Sequence, residues 1–433
     1  MKGIQKLKDL IKDNDSKEIL TKTFFFLIIR FLGLLAGYFF IFIIAKYYGA
    51  AVNGLISISF SFFLLSSILG RLGIDINLVK FYSIDKNEKE KGLFYRVLIK
   101  SIIASSIVAL LLYYFRDFFV YTLFKKPELK PYLLWTLLTV PFWSIILICA
   151  GFLRAKKLNN WHAFLNNPGR FIFSIIILFI IQKEQPLNVI KAHFYGVFLL
   201  AFVSVIITSK KLKKISFKST HNSWQFIKES FPMMLSSTIL IFLGWSDTFV
   251  LGIYENSNNV GVYNVALKIA TITSFSLQAV NSILAPIISK MYNEGKKDNL
   301  EKVILFSTRL NFYITAFIIL IIIIFHKLIL GVFGEEFVLG SIVLIILCVG
   351  QLVNSISGSV GIILHMTGHQ LTFQNIVLTA LILNLILNFT LTPTYGTIGA
   401  AIATVISISS WNIYGAIFLK RKLKIKSFYI PFI

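Results

Sequence analysis

Seven ionisable residues lie within apolar stretches of the chain, and their chemistry is the first clue that the sequence gives. They are Arg30, Arg96, Lys100, Arg170, Asp247, Lys268 and Arg309. An ionised group at membrane depth costs roughly 2.5–3.5 kcal/mol, so by default it faces a cavity or a partner. Six of the seven are cations, and a planar guanidinium suits a phosphate group particularly well. We therefore expect an anionic cargo, with phosphate as the leading candidate.

The one acid of this set lies in "IFLGWSDTFVLGIY", where Asp247 is surrounded by apolar and aromatic residues. Lys268 follows on the next predicted helix at a similar depth, within about 10 Å of the outer face. The simplest prediction is an ion pair between adjacent helices. Two further interpretations stay open at this point. The pair could act as an outer gate that opens when Lys268 engages the cargo, or Asp247 could carry a proton for coupling.

The remaining cations fall near the cytoplasmic ends of their predicted helices. Arg30, Arg170 and Arg309 each lie about 10 Å below the inner surface, and we expect them to receive the anionic group of the cargo. Long side chains at a span end can also reach back to the membrane interface, and we expect Arg96 and Lys100 to do so. No nucleophile elbow, P-loop, paired carboxylates or metal-ligand pattern accompanies these residues.

The composition of the chain indicates whether these residues lie in a membrane or in a water-soluble protein. The 433 residues are 56% hydrophobic and only 14% charged, and apolar stretches of about 20 residues recur, each long enough to cross a bilayer as a helix. We predict an all-α polytopic membrane protein with twelve transmembrane helices. The two cysteines fall within predicted spans and are expected to be packing residues.

The net charge of +24 does not indicate nucleic-acid binding, because the basic residues lie in short connections between spans. Most of them lie in the N-terminal segment, in the even-numbered connections and in the C-terminal tail. By the positive-inside rule both termini are therefore cytoplasmic. Residues 1–23 combine lysines with apolar residues at helical spacing, as in a helix that lies on an anionic membrane surface or in a solvated tail.

Pairs of similar segments indicate an internal repeat. "AKYYGAAVNGLISIS" (45–59) is similar to "LGIYENSNNVGVYNVAL" (251–267), and each combines a span end, a short outer turn and a glycine before the next span. We predict two six-helix bundles related by a pseudo-two-fold axis along the membrane normal. The predicted segments are a basic amphipathic N-terminus (1–23), an N-lobe (24–209), a basic linker (210–224), a C-lobe (225–419) and a basic cytoplasmic tail (420–433).

Three segments carry a family resemblance over essentially the whole chain. "ESFPMMLSSTILIFLGWSDTFVLGIYENSNNVGVYNVALKI" (229–269) and "IIAKYYGAAVNGLISIS" (43–59) resemble the openings of the two lobes in bacterial polysaccharide flippases of the multidrug/oligosaccharidyl-lipid/polysaccharide exporter superfamily. "LILNLILNFTLTPTYGTIGAAIATVIS" (381–407) is similar to their closing signature, with Pro393, Gly396, Gly399 and Ala400 in register. Members that move O-antigen, capsule or teichuronic-type glycans are the expected relatives.

The resemblance implies a transporter in the bacterial cytoplasmic (inner) membrane. It would move an undecaprenyl-pyrophosphate-linked oligosaccharide to the outer leaflet by alternating access, through a cationic cavity between the bundles. The implied partners are this lipid-linked oligosaccharide, the bilayer and a glycan polymerase complex, with no nucleic acid. No cofactor or metal is expected, although a proton or sodium gradient could drive the movement. Two alternatives remain: a drug or cation antiporter of the same fold, and a membrane glycan polymerase or glycosyltransferase.

Overall fold

Helices make up nearly all of the described structure. In this computed structural model the described residues are 14–84, 91–181, 185–213 and 215–430, and none of them forms a β-strand. Most of the basic segment predicted over 1–23 therefore lies outside the described residues. The α-helices are α1 (Asn14–Arg71), α2 (Ile74–Ile84), α3 (Lys91–Tyr114), α4 (Leu129–Ala155), α5 (Asn159–Asn166), α6 (Pro168–Ile180), α7 (Asn188–Leu212), α8 (Ser223–Tyr254), α9 (Ser257–Thr271), α10 (Ser274–Asn293), α11 (Lys297–Ile324), α12 (His326–Gly331), α13 (Ser341–Ser357), α14 (Val360–Met366) and α15 (Gln370–Phe418).

Three short helical segments complete the set. A π-helix spans Phe118–Leu123, a 3₁₀-helix spans Glu335–Gly340, and a second π-helix, Leu419–Leu423, follows α15. The first two lie where the sequence places connections between spans.

The helices are suited to a membrane. In the described ranges, seven are long and apolar enough to cross one, and three bent pairs of helices bring the candidates to as many as ten. Large apolar side chains such as Phe306, Phe317 and Leu328 are about two-thirds exposed, as expected where lipid replaces water around the protein. The chain is a multi-pass, all-helical membrane protein, as predicted from its composition.

Two of the candidate spans are too long for a single crossing. Ile28–Arg71 has 44 residues, which at 1.5 Å per residue is about twice the thickness of the hydrocarbon core. Its helix is interrupted at Gly49, where φ is +79°, and α15 is interrupted at Gly396, where φ is +57°. Glycine adopts these left-handed conformations without the steric cost that a side chain adds. Each long helix thus contains two segments of crossing length, while the total of twelve spans stays a prediction.

The chain divides into two compact units that are not simple halves. The first unit comprises Met1–Ile41, Phe62–Arg116 and Lys130–Leu235. Its core contains Phe63, Trp143 and Cys149. The second unit comprises Phe42–Ser61, Asp117–Leu129 and Ser236–Ile433, with a core that includes Ile288, Ile363 and Leu419. Both cysteines are free and buried, which confirms the prediction that they are packing residues.

Candidate functional site

The most enclosed of the predicted site residues is Asp247 on α8, in the second unit. Its carboxylate is 4% exposed and accepts hydrogen bonds from four neutral donors. These are Tyr263 Oη at 2.9 Å, Asn384 Nδ2 at 3.2 Å, Asn388 Nδ2 at 2.8 Å and Thr404 Oγ1. A buried carboxylate loses several kcal/mol of hydration, and about 1.5–3 kcal/mol is recovered from each hydrogen bond to a charged group. The four donors make it possible for this acid to be buried.

The local sequence of α15 explains how three of these donors meet. Asn384 and Asn388 are four residues apart, so both amides lie on one face of the helix. The break at Gly396 then allows the second half of α15 to return beside the first. At Gly399 an added Cβ would lie 2.3 Å from the carbonyl oxygen of Leu391, so the close approach of the two halves requires glycine. This return brings Thr404 to the carboxylate.

Further polar contacts fix the donors themselves. Ser246 Oγ donates to Asn384 Oδ1 at 2.6 Å, and Thr248 Oγ1 donates to Asn264 Oδ1 at 3.1 Å. Tyr263 and Thr404 also share a hydrogen bond of 3.2 Å. The network joins α8, α9 and both halves of α15. A change in the charge of Asp247 would therefore act on three helices at once.

Asp247 and Lys268 both line a cavity of about 320 Å³, together with Gln351 and Trp411. The predicted ion pair between them is not formed in the part of the chain that the structure describes, because the neutral donors occupy the oxygens of the carboxylate. The sequence placed both residues at a similar depth, and they do share a cavity. It could not show that two asparagines from a distant helix would take the place of the lysine.

Arg30 belongs to a group of charged residues in the first unit. Its side chain on α1 is exposed and interacts electrostatically with Arg154 at the end of α4. Both arginines also act on the ring of His162 in α5, as does the carboxylate of Asp75. Asp75 forms an ion pair of 2.5 Å with Arg71. We call Arg30, Arg71, Asp75, Arg154 and His162 the basic cluster.

Arg170 differs from the prediction that it faces a cavity. It is buried in the first unit, with 9% of its surface exposed. The guanidinium carbon lies 4.4 Å from the ring centroid of Phe171, 5.0 Å from that of Trp143 and 5.8 Å from that of Phe63. Helices α5 and α6 meet at an angle of 51° just before Pro168. That bend directs Arg170 into aromatic packing, where cation–π contacts compensate for its burial.

Arg309 lies on α11 in the second unit and is exposed. Its guanidinium is 5.0 Å from the ring centroid of Tyr429, whose hydroxyl shares a 3.0 Å hydrogen bond with Tyr313. Arg30 and Arg170 belong to the first unit, and Lys268 and Arg309 belong to the second.

Two sets of residues at these sites were not selected from the sequence. Arg71 and Arg154 were overlooked because they lie at span ends, where a basic residue is ordinary. Asn384, Asn388 and Thr404 were overlooked because they are uncharged. One signal was available: "LNLILN" places two asparagines four residues apart inside an apolar span, and polar residues there usually face a partner.

Comparison with known proteins identifies the family. A family model described as "Polysaccharide biosynthesis protein" matches residues 19–292, which is more than half of the chain. The chain belongs to this family. A second model, described as MatE, matches residues 232–390. The first match begins ahead of the first predicted span and ends in α10, so this polysaccharide biosynthesis family member is recognised across both of its compact units.

One relative is the probable low-salt glycan biosynthesis flippase Agl15 of Haloferax volcanii. It is 31% identical over 219 residues, which are 50% of this chain and 46% of Agl15. The chain spans about half the length of the curated relatives it matches.

Solved structures share the fold. The lipid II flippase MurJ in an inward closed conformation superimposes with a TM-score of 0.78 at 21% identity, covering 91% of this chain and 87% of that one. An inward-facing multidrug resistance MATE transporter gives a TM-score of 0.72 at 16% identity, covering 92% and 98%. The polysaccharide biosynthesis family member thus shares the two-lobe fold of these two proteins. The relatives named here are described as flippases and a transporter.

Proposed function

We propose that this protein is a flippase that moves an oligosaccharide linked to a polyprenyl phosphate or pyrophosphate between membrane leaflets by alternating access. The observation that carries the proposal is the basic cluster itself, in which the charges of Arg30 and Arg154 act on each other and both act on His162. Like charges repel each other, and an anion that binds near both would relieve this repulsion. Two guanidinium groups match the geometry of a phosphate or pyrophosphate. Membership in a polysaccharide biosynthesis family supports a glycan as the rest of the cargo.

The direction of movement follows from the charge distribution. With both termini in the cytoplasm, the ends of α1 and α4 that carry the cluster lie on the cytoplasmic side of the cytoplasmic membrane. Cargo made in the cytoplasm would bind there first and leave on the outer side. Lys268 and Arg309, in the second unit, are proposed as later contacts of the anionic group. Undecaprenyl pyrophosphate is one carrier of this class, and a polymerase complex would be a partner downstream.

We further propose that Asp247 couples this movement to a cation. A carboxylate, two amides and two hydroxyls converge at one point, and amide groups can turn to present their oxygens to an ion. Oxygen ligands of this kind suit a hard cation such as sodium, while a proton would bind the carboxylate itself. Binding or release of the cation would change how tightly α8, α9 and α15 are held together. The preferred conformation of the protein would change as a result.

A drug or cation antiporter is the second candidate. The MatE model that matches residues 232–390 favours it. The two functions differ in the residues they need. An antiporter for cationic drugs depends on Asp247 and gains nothing from Arg30, whereas a flippase for a phosphorylated lipid depends on both.

The experiment replaces cations in the organism that carries the gene. Arg30→Ala and Arg154→Ala should each abolish the appearance of the glycan at the cell surface and cause the lipid-linked precursor to accumulate inside. Arg116→Ala is the matched control, because Arg116 is also in the first unit but packs against the ring of Tyr113. Export is measured by labelling the surface glycan, and protein level by immunoblotting. Normal export in both cluster variants would refute the site, and expulsion of cationic dyes that survives Arg30→Ala would favour the antiporter.

Coupling is tested with reconstituted protein. Asp247→Asn keeps the shape of the side chain but removes its charge, and it should abolish any dependence of transport on a sodium or proton gradient. Imposing one gradient at a time on vesicles identifies the ion. Transport by Asp247→Asn that still responds to either gradient would show that the coupling site lies elsewhere.

A further inference from the structure

A groove in the first unit is lined by residues that belong neither to the basic cluster nor to the lining of the cavity at Asp247. Its volume is about 920 Å³, and it lies between α3, the segment 217–222 and the start of α8. Its lining combines two cations with a row of isoleucines. None of the described residues that line it is acidic.

The polar end of the groove is formed by Arg96 and Lys100, one helical turn apart on α3. Lys100 Nζ donates to Ser223 Oγ at 2.8 Å and lies 3.6 Å from the ring centroid of Trp224. Ser219 and Thr220 belong to the same wall. Two cations beside hydroxyl groups form a receptor for a single phosphate. The sequence predicted that Arg96 and Lys100 reach the membrane interface. In the structure both residues line the same groove.

The apolar end extends from these cations along α3. Ile99, Ile103 and Ile107 are spaced by four residues and therefore form one stripe, and about half of each side chain is exposed. At 1.5 Å per residue the stripe is about 12 Å long. Because α3 is a candidate membrane span, the stripe extends from the two cations along the helix into the hydrocarbon region of the membrane. Trp224, which is 67% exposed, lies at the boundary, where tryptophan is favoured in membrane proteins.

The wall of the groove formed by the segment 217–222 is held in place by contacts with α2 and α3. At Gly92 an added Cβ would lie 2.0 Å from the carbonyl oxygen of Lys218, which means that the segment lies directly on α3. The ring of Tyr95 is 5.9 Å from that of Phe217. The ring of Phe81 is 5.0 Å from that of His221. A preformed site loses little entropy when its ligand binds.

We propose that this groove binds one anionic phospholipid of the surrounding leaflet. The lipid phosphate contacts Arg96 and Lys100, and an acyl chain covers the isoleucine stripe. A soluble anion would match only the polar end, and a neutral lipid only the apolar end. The lipid thereby contacts the segment that precedes α8 and joins the two predicted halves of the chain. This proposal does not depend on the identity of the transported cargo.

The test uses the tryptophan at the site as its reporter. The purified protein is placed in vesicles of phosphatidylcholine that contain increasing fractions of phosphatidylglycerol, with bromine on the acyl chains of one lipid at a time. Bromine quenches tryptophan fluorescence at contact, and the signal of Trp224 is obtained by subtracting that of a Trp224→Phe variant. We expect brominated phosphatidylglycerol to quench Trp224 at a lower mole fraction than brominated phosphatidylcholine. The preference should be about fivefold for each basic residue, or about thirtyfold for two.

Charge variants separate a specific site from general attraction to anionic lipid. Arg96→Gln with Lys100→Gln should abolish the preference. Lys210→Gln with Lys211→Gln should retain it, because those two lysines end α7 outside the groove lining. Salt added to the unmodified protein gives a second measurement if the first double variant fails to fold, and it should reduce the preference. Equal quenching by both lipids, or a preference that survives the loss of Arg96 and Lys100, would overturn the proposal.

A final arm distinguishes the source of the phosphate. Inorganic phosphate or pyrophosphate at millimolar concentration is added to the vesicles that contain brominated phosphatidylglycerol. We expect no displacement, because the soluble anions lack the chain that covers the isoleucine stripe. Displacement by either anion would show a site for a soluble ligand and would refute the lipid assignment.

Discussion

Replacing Gly54 by alanine should open a helix crossing in the second unit. The second segment of α1 begins after the break at Gly49. It approaches the start of α9 so closely that an added Cβ on Gly54 would lie 1.8 Å from the carbonyl oxygen of Ser257 and 3.0 Å from the nitrogen of Gly261. The contact is reciprocal, because a Cβ on Gly261 would lie 1.9 Å from the carbonyl oxygen of Ala50. Small residues four apart on both helices permit this approach, as in other membrane helix pairs.

The magnitude follows from these distances. The atoms that block the new methyl group belong to the backbone and cannot rotate away, so the helices must separate by about 1.5 Å to restore ordinary contact. Overpacking of this kind typically costs about 1–3 kcal/mol, which changes the population of the closed crossing by about five- to 150-fold. The hydrogen bond from Asn53 Nδ2 to the carbonyl oxygen of Gly261, 3.1 Å long, should weaken as well.

Accessibility of a cysteine at position 53 measures the opening. Asn53 is 2% exposed, and Asn53→Cys, in a background without the two native cysteines, should react slowly with a membrane-impermeant maleimide. Adding Gly54→Ala should increase the rate at least fivefold. Gly331→Ala is the matched control, because its nearest new neighbour would be Val338 at 3.9 Å. Equal labelling rates in the Gly54→Ala and Gly331→Ala backgrounds would refute the reasoning.

Two further predictions concern the cations that the structure buries. Lys126, between the first π-helix and α4, donates to the carbonyl oxygens of Phe124 and Gly252, and burial lowers its pKa below the ordinary 10.5, opposed by Glu255 and Glu128. Lys126 therefore loses its proton more easily in the folded state than in the unfolded state. The free energy of unfolding, compared with that of Lys126→Met, should rise with pH from the lowered pKa up to about 10.5. A difference in unfolding temperature between the two proteins that is constant with pH would contradict this. Arg170→Met should lower the unfolding temperature by several degrees, because cation–π contacts of about 0.5–2 kcal/mol each are lost. Glycan export by the folded protein should stay intact. Loss of export at normal stability would show that Arg170 takes part in transport.

The internal repeat shows where sequence reasoning succeeded and where it ended. The similarity of 45–59 to 251–267 predicted equivalent turns in two related lobes, and the superfamily fold bears out the two-lobe architecture. Similarity cannot show that the two segments touch. That Gly54 and Gly261 pack against each other depends on how the helices fold back, and it explains why both positions need glycine.

The charged residues of the candidate site were predicted from the sequence, but their uncharged partners were not. A charge in an apolar run is conspicuous, and so Arg30, Asp247 and Lys268 could be selected from the sequence. Their partners were not selected, because uncharged amides and hydroxyls are less conspicuous in an apolar stretch than a charge, and the two asparagines of "LNLILN" were the one signal for them. Among charged residues, Lys268 was the expected partner of Asp247. In the structure the hydrogen bonds to the carboxylate come from neutral donors of α9 and α15.

The sequence by itself determined that this protein spans a membrane, is built of helices and carries basic residues that suit an anionic ligand, because hydropathy and the cost of buried charge act on each segment separately. Tertiary structure alone decided which charge faces which partner. It packed Arg170 against aromatic rings, placed Arg30 within electrostatic reach of Arg154 and surrounded Asp247 with four neutral donors. Those outcomes depend on breaks such as Gly396 and on bends between helices, which bring together residues more than a hundred positions apart.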